Sequence, residues 1–95
     1  MIAVSVIIIG FNVEKYIKKC IESVVSQSLT NIEIIYVDDG STDNTLSIMN
    51  EMAVLDKRIK IYTQDNSGPY SARKKGLHMA TGKYVIFADS EDWIE

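Results

Sequence analysis

IEIIYVDDGSTDNT, residues 32–45, contains an abrupt change of character. Apart from Glu33, residues 32–37 are apolar and largely β-branched, and the run is near-continuous, as in a strand covered on both faces. Two aspartates follow at once, Asp38 and Asp39, then Gly40 and a Ser-Thr-Asp cluster that can cap a helix. The helix itself is predicted over 43–55, where Leu46, Met49, Met52 and Ala53 recur at helical spacing. A buried strand, an acidic turn and a capped helix together form one half of a βαβ unit.

The same alternation extends in both directions. Upstream, residues 4–9 read as a strand and 14–29 as a helix. That helix has an apolar stripe at Tyr16, Ile17, Cys20, Ile21, Val24, Val25 and Leu29, and Asn12 is its expected cap. Downstream, strands are expected at 59–62 and 84–88. Between them a helix over 69–80 has Ser67 as cap, Pro69 in the first turn and Gly82 as stop. Gly76 weakens the middle of that helix. The order βαβαβαβ predicts an α/β, Rossmann-like, three-layer αβα domain. Its core is a parallel sheet of about four strands joined by right-handed crossovers.

Composition narrows the function. Of 95 residues, 46% are hydrophobic and 24% charged, as in a folded globular domain. A net charge of −3 provides no basic footprint for nucleic acid. No apolar run is long enough to span a bilayer and no basic segment precedes Ile2, so neither an anchor nor a signal peptide is expected. The single cysteine, Cys20, lies on an apolar stripe and reads as core in a reducing cytosol. His78, the one histidine, has no partner at metal-ligand spacing and reads as surface.

In an open parallel sheet, ligands sit beyond the carboxyl ends of the strands. Those ends carry Gly10-Phe11-Asn12, then Asp38-Asp39, then Asp65-Asn66-Ser67-Gly68, then Asp89-Ser90-Glu91-Asp92. Acids converging on one edge repel one another and call for a cation, or for a ligand rich in donors. Asp38 or Asp39 can accept hydrogen bonds from a nucleoside, although the same residues also suit a turn and a cap. Asp89 and Glu91, at i and i+2 of an extended segment, can share one hard cation. Arg73 is the cation best suited to pair with phosphate, whereas Lys74 and Lys75 read as a solvated face. Trp93 reads as packing under a loop. A dinucleotide oxidoreductase is excluded, because Gly10 stands alone where G-x-G-x-x-G is required.

Three segments, VSVIIIGFNVEKYI (4–17), SVVSQSLTNIEIIYVDDGSTDNT (23–45) and NSGPYSARKKGLHMATGKYVIFADSED (66–92), together resemble the start of the family 2 inverting glycosyltransferases of GT-A fold. The resemblance runs over essentially the whole chain. It implies a sheet order of 3-2-1-4, a nucleotide-diphosphate sugar donor, with UDP the leading candidate, and Mn2+ or Mg2+ as cofactor. It implies that Asp39 contacts the base, that Arg73 lies on the nucleotide side and that the backbone from Ile9 to Phe11 flanks the nucleoside. Asp89-Ser90-Glu91 takes the place of the family's D-x-D motif, with Asp89 near ribose or sugar and Glu91 as metal ligand. Residues 1–95 are then the donor-binding half of a domain truncated after its fourth strand. The acceptor site, for a saccharide or a lipid-linked acceptor, and the catalytic base are expected beyond Glu95. The alternative is a non-catalytic nucleotide-sugar binding module. A homodimer through the exposed fourth strand is expected, as is a cytoplasmic location, peripheral to the inner face of the membrane in the whole enzyme.

Overall fold

The computed structural model describes residues 2–26 and 31–89. The elements alternate as β1 (Val4–Gly10), α1 (Ile17–Val25), β2 (Ile32–Asp38), α2 (Thr45–Leu55), β3 (Ile59–Thr63), α3 (Pro69–Met79) and β4 (Tyr84–Asp89). The strands form one parallel sheet in the order β3-β2-β1-β4, as expected. The register places Gly10 beside Asp38, Asp38 beside Thr63, and Ile9 beside Asp89. All four carboxyl ends therefore finish level on one edge. Leu29, from the expected stripe, and Glu91, Asp92 and Trp93 lie outside the described residues.

Strand alternation sorts the side chains into two cores. On one face, Val6, Ile8, Ile32, Ile34 and Tyr36 pack under Ile17, Cys20, Ile21 and Val24 of α1 and Met49 of α2. On the other, Ile7, Ile35 and Val37 pack under Ala72 of α3. Each large aliphatic side chain buried in this way contributes about 1.5–3 kcal/mol relative to exposure. Cys20 is fully buried, as its place on the stripe requires. Gly76 is an essential part of the α3 contact: a Cβ there would stand 2.5 Å from Ile7 Cγ2. The glycine that weakens the helix lets α3 lie close on β1.

Three local expectations are corrected. Asn12 does not cap α1, which begins at Ile17 without a side-chain cap; Asn12 instead reaches the β2–α2 loop. Ser67 does not cap α3, because its hydroxyl donates to the Asp65 carbonyl at 2.7 Å. Gly82 lies beyond the C-cap Ala80, and its N–H donates to Ser5 Oγ at 2.8 Å. Pro69 does occupy the first turn of α3, and Asp43 closes the start of α2 by accepting from Thr45 N and Oγ1 at 2.9 and 2.6 Å.

β4 is not the buried strand that its apolar run implies. Among the described residues it pairs only with β1, and Tyr84, Ile86 and Phe87 are 62%, 51% and 49% exposed. At the amino-terminal edge of the sheet, Glu33 is buried and serves as a polar staple. Its carboxylate accepts from Ser5 Oγ (2.5 Å), Thr81 N (2.7 Å), Thr81 Oγ1 (2.9 Å) and Lys60 Nζ (2.7 Å). These bonds tie β1, β2, β3 and the α3–β4 connection together. No helix among the described residues is long and apolar enough to cross a membrane.

Candidate functional site

A cavity of about 430 Å3 opens at the carboxyl edge of the sheet. Its walls come from the end of β1 (Ile9, Gly10, Phe11, Val13), from Asp39 and from the β3–α3 segment (Asn66, Gly68, Pro69, Ala72, Arg73). Four of the residues singled out from the sequence, Ile9, Phe11, Asp39 and Arg73, thus line one space. The lining combines apolar residues, with Phe11 45% exposed, with the carboxylate of Asp39 and the guanidinium of Arg73.

Asp39 is only 5% exposed. Its Oδ1 accepts from Gln64 Nε2 and Ser67 N, both at 2.8 Å, and its Oδ2 accepts from Gly68 N at 3.0 Å. Asn66 Nδ2 donates to the Asp39 carbonyl at 3.1 Å and reaches Oδ2 at 3.4 Å. Burial alone would raise its pKa, but these donors outweigh it and hold the carboxyl below its ordinary value. The side chain therefore fixes the β3–α3 loop while facing the cavity. Gly68, at φ 100°, supplies a backbone conformation that a side chain would resist.

Asp38 is placed differently. It is buried and absent from the cavity walls. Its Oδ1 accepts from the Tyr36 hydroxyl and Ser41 Oγ, both at 2.7 Å, and its Oδ2 accepts from Ser41 N at 2.8 Å. Burial and this carboxylate push the Tyr36 pKa up, keeping the phenol a proton donor. Asp65 is exposed and also absent from the walls. Asp38 and Asp39 thus accept from separate sets of N–H and O–H donors.

The β1–α1 turn carries no glycine-rich loop, and its amides are used within the fold. In a dinucleotide fold the loop amides face phosphate. Here the N–H groups of Asn12, Val13 and Glu14 donate instead to Ser41 Oγ (2.9 Å), Thr45 Oγ1 (2.9 Å) and Asp43 Oδ2 (3.4 Å). Glu14 returns the contact by accepting from Asn44 N at 3.1 Å. Gly10 is needed for close packing, since a Cβ there would meet the Tyr36 hydroxyl at 2.5 Å. A phosphate at this edge must be neutralised by side chains or by a cation.

Arg73 is the cationic side chain on the cavity wall, and it has no hydrogen-bond or ion-pair partner among the described residues. Lys75 donates to the Thr63 carbonyl at 3.0 Å, while Lys74 and His78 are solvent-exposed. Asp89 closes β4 directly beside Ile9 of the cavity wall. Glu91 lies two residues further on, outside the described residues. Among the described residues no group of three or more His, Cys, Asp or Glu gathers at metal-binding range. An aspartate and a glutamate are hard oxygen donors, a set that fits Mn2+ or Mg2+. Asn66, Gly68 and Pro69 were not singled out from the sequence as cavity residues. Their position just after β3 on the ligand edge was the available signal.

A model of the family described as Glycosyl transferase family 2 matches residues 5–95. The glycosyltransferase GlyA of Streptococcus pneumoniae serotype 4 is 46% identical over 92 residues, covering 97% of this chain and 13% of GlyA. A crystal structure of S. aureus TarS in complex with UDP-GlcNAc superposes with a TM-score of 0.88 at 36% identity, covering 95% of this chain and 27% of that one. The mannosyltransferase PcManGT from Pyrobaculum calidifontis, solved with GDP-Man and Mn2+, gives 0.87 at 25% identity, covering 93% of this chain and 27% of that one. The chain therefore spans well under a third of the length of each.

Proposed function

The chain belongs to glycosyl transferase family 2, and we propose that residues 1–95 are the donor-binding half of such an enzyme, holding a nucleotide-diphosphate sugar in the cavity at the carboxyl edge of the sheet. The observation that carries this reading is the convergence of Phe11, Asp39 and Arg73 on one space of about 430 Å3. The nucleoside lies against Ile9, Gly10 and Phe11, with its base toward Asp39 and its diphosphate toward Arg73. Uracil is the base of choice, since the 36% identical neighbour was solved with UDP-GlcNAc.

In the reaction an acceptor hydroxyl oxygen attacks the anomeric carbon. The new C–O bond forms as the bond from that carbon to the diphosphate breaks, with inversion, and the hydroxyl proton passes to a general base. Arg73 stabilises the charge that grows on the departing diphosphate. A divalent cation held by Asp89 and Glu91 would add Lewis-acid neutralisation of the same phosphates. Asp39 is committed to the β3–α3 loop. We place the base and the acceptor site in polypeptide outside residues 1–95, since the chain covers only 13% and 27% of the lengths of the relatives it matches.

A thermal-shift panel of nucleosides and nucleoside diphosphates, with and without Mn2+, tests this reading. UDP at 100 times its dissociation constant should stabilise the chain by about 2.7 kcal/mol. Arg73→Ala should weaken UDP by about tenfold or more while leaving uridine nearly unchanged, since a charge-assisted bond contributes roughly 1.5–3 kcal/mol. No shift with any nucleoside diphosphate at millimolar concentration would end the donor-site reading.

As an isolated chain, residues 1–95 should also self-associate. Among the described residues β4 presents an unpaired backbone edge with exposed apolar side chains, a template for the β4 of a second copy. Light scattering at high micromolar concentration should report twice the monomer mass. A clean monomer would refute pairing through this edge.

A further inference from the structure

We propose that Asn12 is a positioning residue of the donor site, a latch that holds the β1 wall of the cavity against the β2–α2 loop. This inference rests on the donor-site reading for its ligand, but the latch itself is visible in the contacts. Asn12 is not among the cavity walls, whereas its neighbours Phe11 and Val13 are. Among the described residues it is the one non-glycine residue at positive φ, 53°. Asparagine tolerates this left-handed region better than other side chains, but the conformation still needs support.

The support comes from the opposing loop. Asn12 Oδ1 accepts from the backbone N–H groups of Thr42 at 2.7 Å and Asp43 at 3.3 Å, and Nδ2 donates to Thr42 Oγ1 at 3.3 Å. Its own N–H donates to Ser41 Oγ, which donates in turn to Asp38 Oδ1. The Tyr36 hydroxyl donates to the same oxygen. An unbroken chain of hydrogen bonds therefore runs from the buried Tyr36 through Asp38 and Ser41 to the exposed turn.

The consequence falls on Phe11. An aromatic ring that is 45% exposed would lower its free energy by folding onto nearby apolar surface. The left-handed turn at Asn12 fixes the direction of the chain immediately after Phe11 and so keeps the ring at the cavity wall. This arrangement also gives Asp38 a role. It anchors the latch from within the core and does not touch the nucleoside.

Three variants separate the latch from general folding. Asn12→Gly keeps the left-handed backbone and removes the side chain; Asn12→Asp keeps an Oδ acceptor; Asn12→Ala loses both advantages. Affinities for uridine and UDP are measured on the folded chain by calorimetry, alongside amide hydrogen exchange of the ligand-free protein. Asn12→Gly should weaken both ligands about tenfold, and Asn12→Asp should recover to within about threefold of the parent. Exchange protection at residues 12–14 should fall in the glycine variant and return in the aspartate variant. A glycine variant with parental affinity and parental protection would overturn the proposal, as would an aspartate variant no better than glycine. If the parent binds neither ligand, the donor-site reading fails, and the exchange comparison alone decides the latch.

Discussion

Asp39→Ala is expected to cost the chain its nucleotide affinity and a large part of its stability at once. The carboxylate accepts from Gln64, Ser67 N and Gly68 N within 3.0 Å, and these bonds place the segment leading to Pro69, Ala72 and Arg73 on the cavity wall. Truncation leaves the N–H groups of Ser67 and Gly68 without their acceptor. Leaving such groups unpaired costs roughly 1–3 kcal/mol each. Water reaches part of this exposed segment, so the expected destabilisation is at the low end for two such groups, about 2 kcal/mol, with a loss of UDP affinity exceeding a hundredfold. Asp39→Asn would not rescue, since the new amide NH2 would confront either Ser67 N–H or Gly68 N–H as a second donor. Because the folded pKa is depressed, this stabilisation is present above the ordinary carboxylate pKa of 3.8 and fades as pH falls through the lower folded value. Urea unfolding with a parental midpoint for Asp39→Ala would disprove the structural role. Parental UDP affinity would disprove the role in binding.

The second large effect is expected at the opposite edge. Burial works to raise the Glu33 pKa, but the Lys60 ammonium and the donors from Ser5 and Thr81 outweigh it and lower it from 4.5 to about 2. A depressed folded pKa means stability that is fully present above about 4.5 and is lost as pH falls toward 2. The shift corresponds to roughly 3 kcal/mol at neutral pH. That is a large fraction of a small domain's total stability, typically about 5–15 kcal/mol. Glu33→Gln should lose most of it and flatten the acid limb of the stability profile between about pH 5 and pH 2. Its folded fraction should still bind UDP with parental affinity, because the staple lies at the amino-terminal edge of the sheet. An unchanged unfolding midpoint at neutral pH would refute the staple. A matching loss of UDP affinity would show that the two edges are coupled.

The alternation of the chain was legible from the sequence because its strands are short, β-branched and separated by amphipathic segments. Sheet order and the acidic edge followed from the resemblance and from the rule that ligands sit at strand carboxyl ends. What escaped was the direction of short polar side chains. Asn12 precedes a helix and looks like its cap, yet the turn over 13–16 intervenes and its amide faces another loop. Asp38 and Asp39 are adjacent and look equivalent. Strand alternation nevertheless sends one under Gly10 into the Tyr36 network and the other to the cavity. Glu33 lies in an apolar run with no local sign that Ser5, Lys60 and Thr81, each more than 25 residues away, will meet it. The apolar composition of β4 is that of a central strand, and its exposure followed only from the edge place that the resemblance implied.

The central claim, that the cavity between β1, Asp39 and α3 holds a nucleoside diphosphate, is tested most directly by amide chemical shifts. The isotope-labelled chain is titrated with UDP, and Mg2+ stands in for Mn2+ so that resonances are not broadened. Progressive shifts are expected at Gly10, Phe11, Asp39, Asn66, Ser67, Gly68 and Arg73, with Ser5, Glu33, Lys60 and Thr81 unmoved. Shifts confined to that amino-terminal edge, or none at millimolar UDP, would refute the claim.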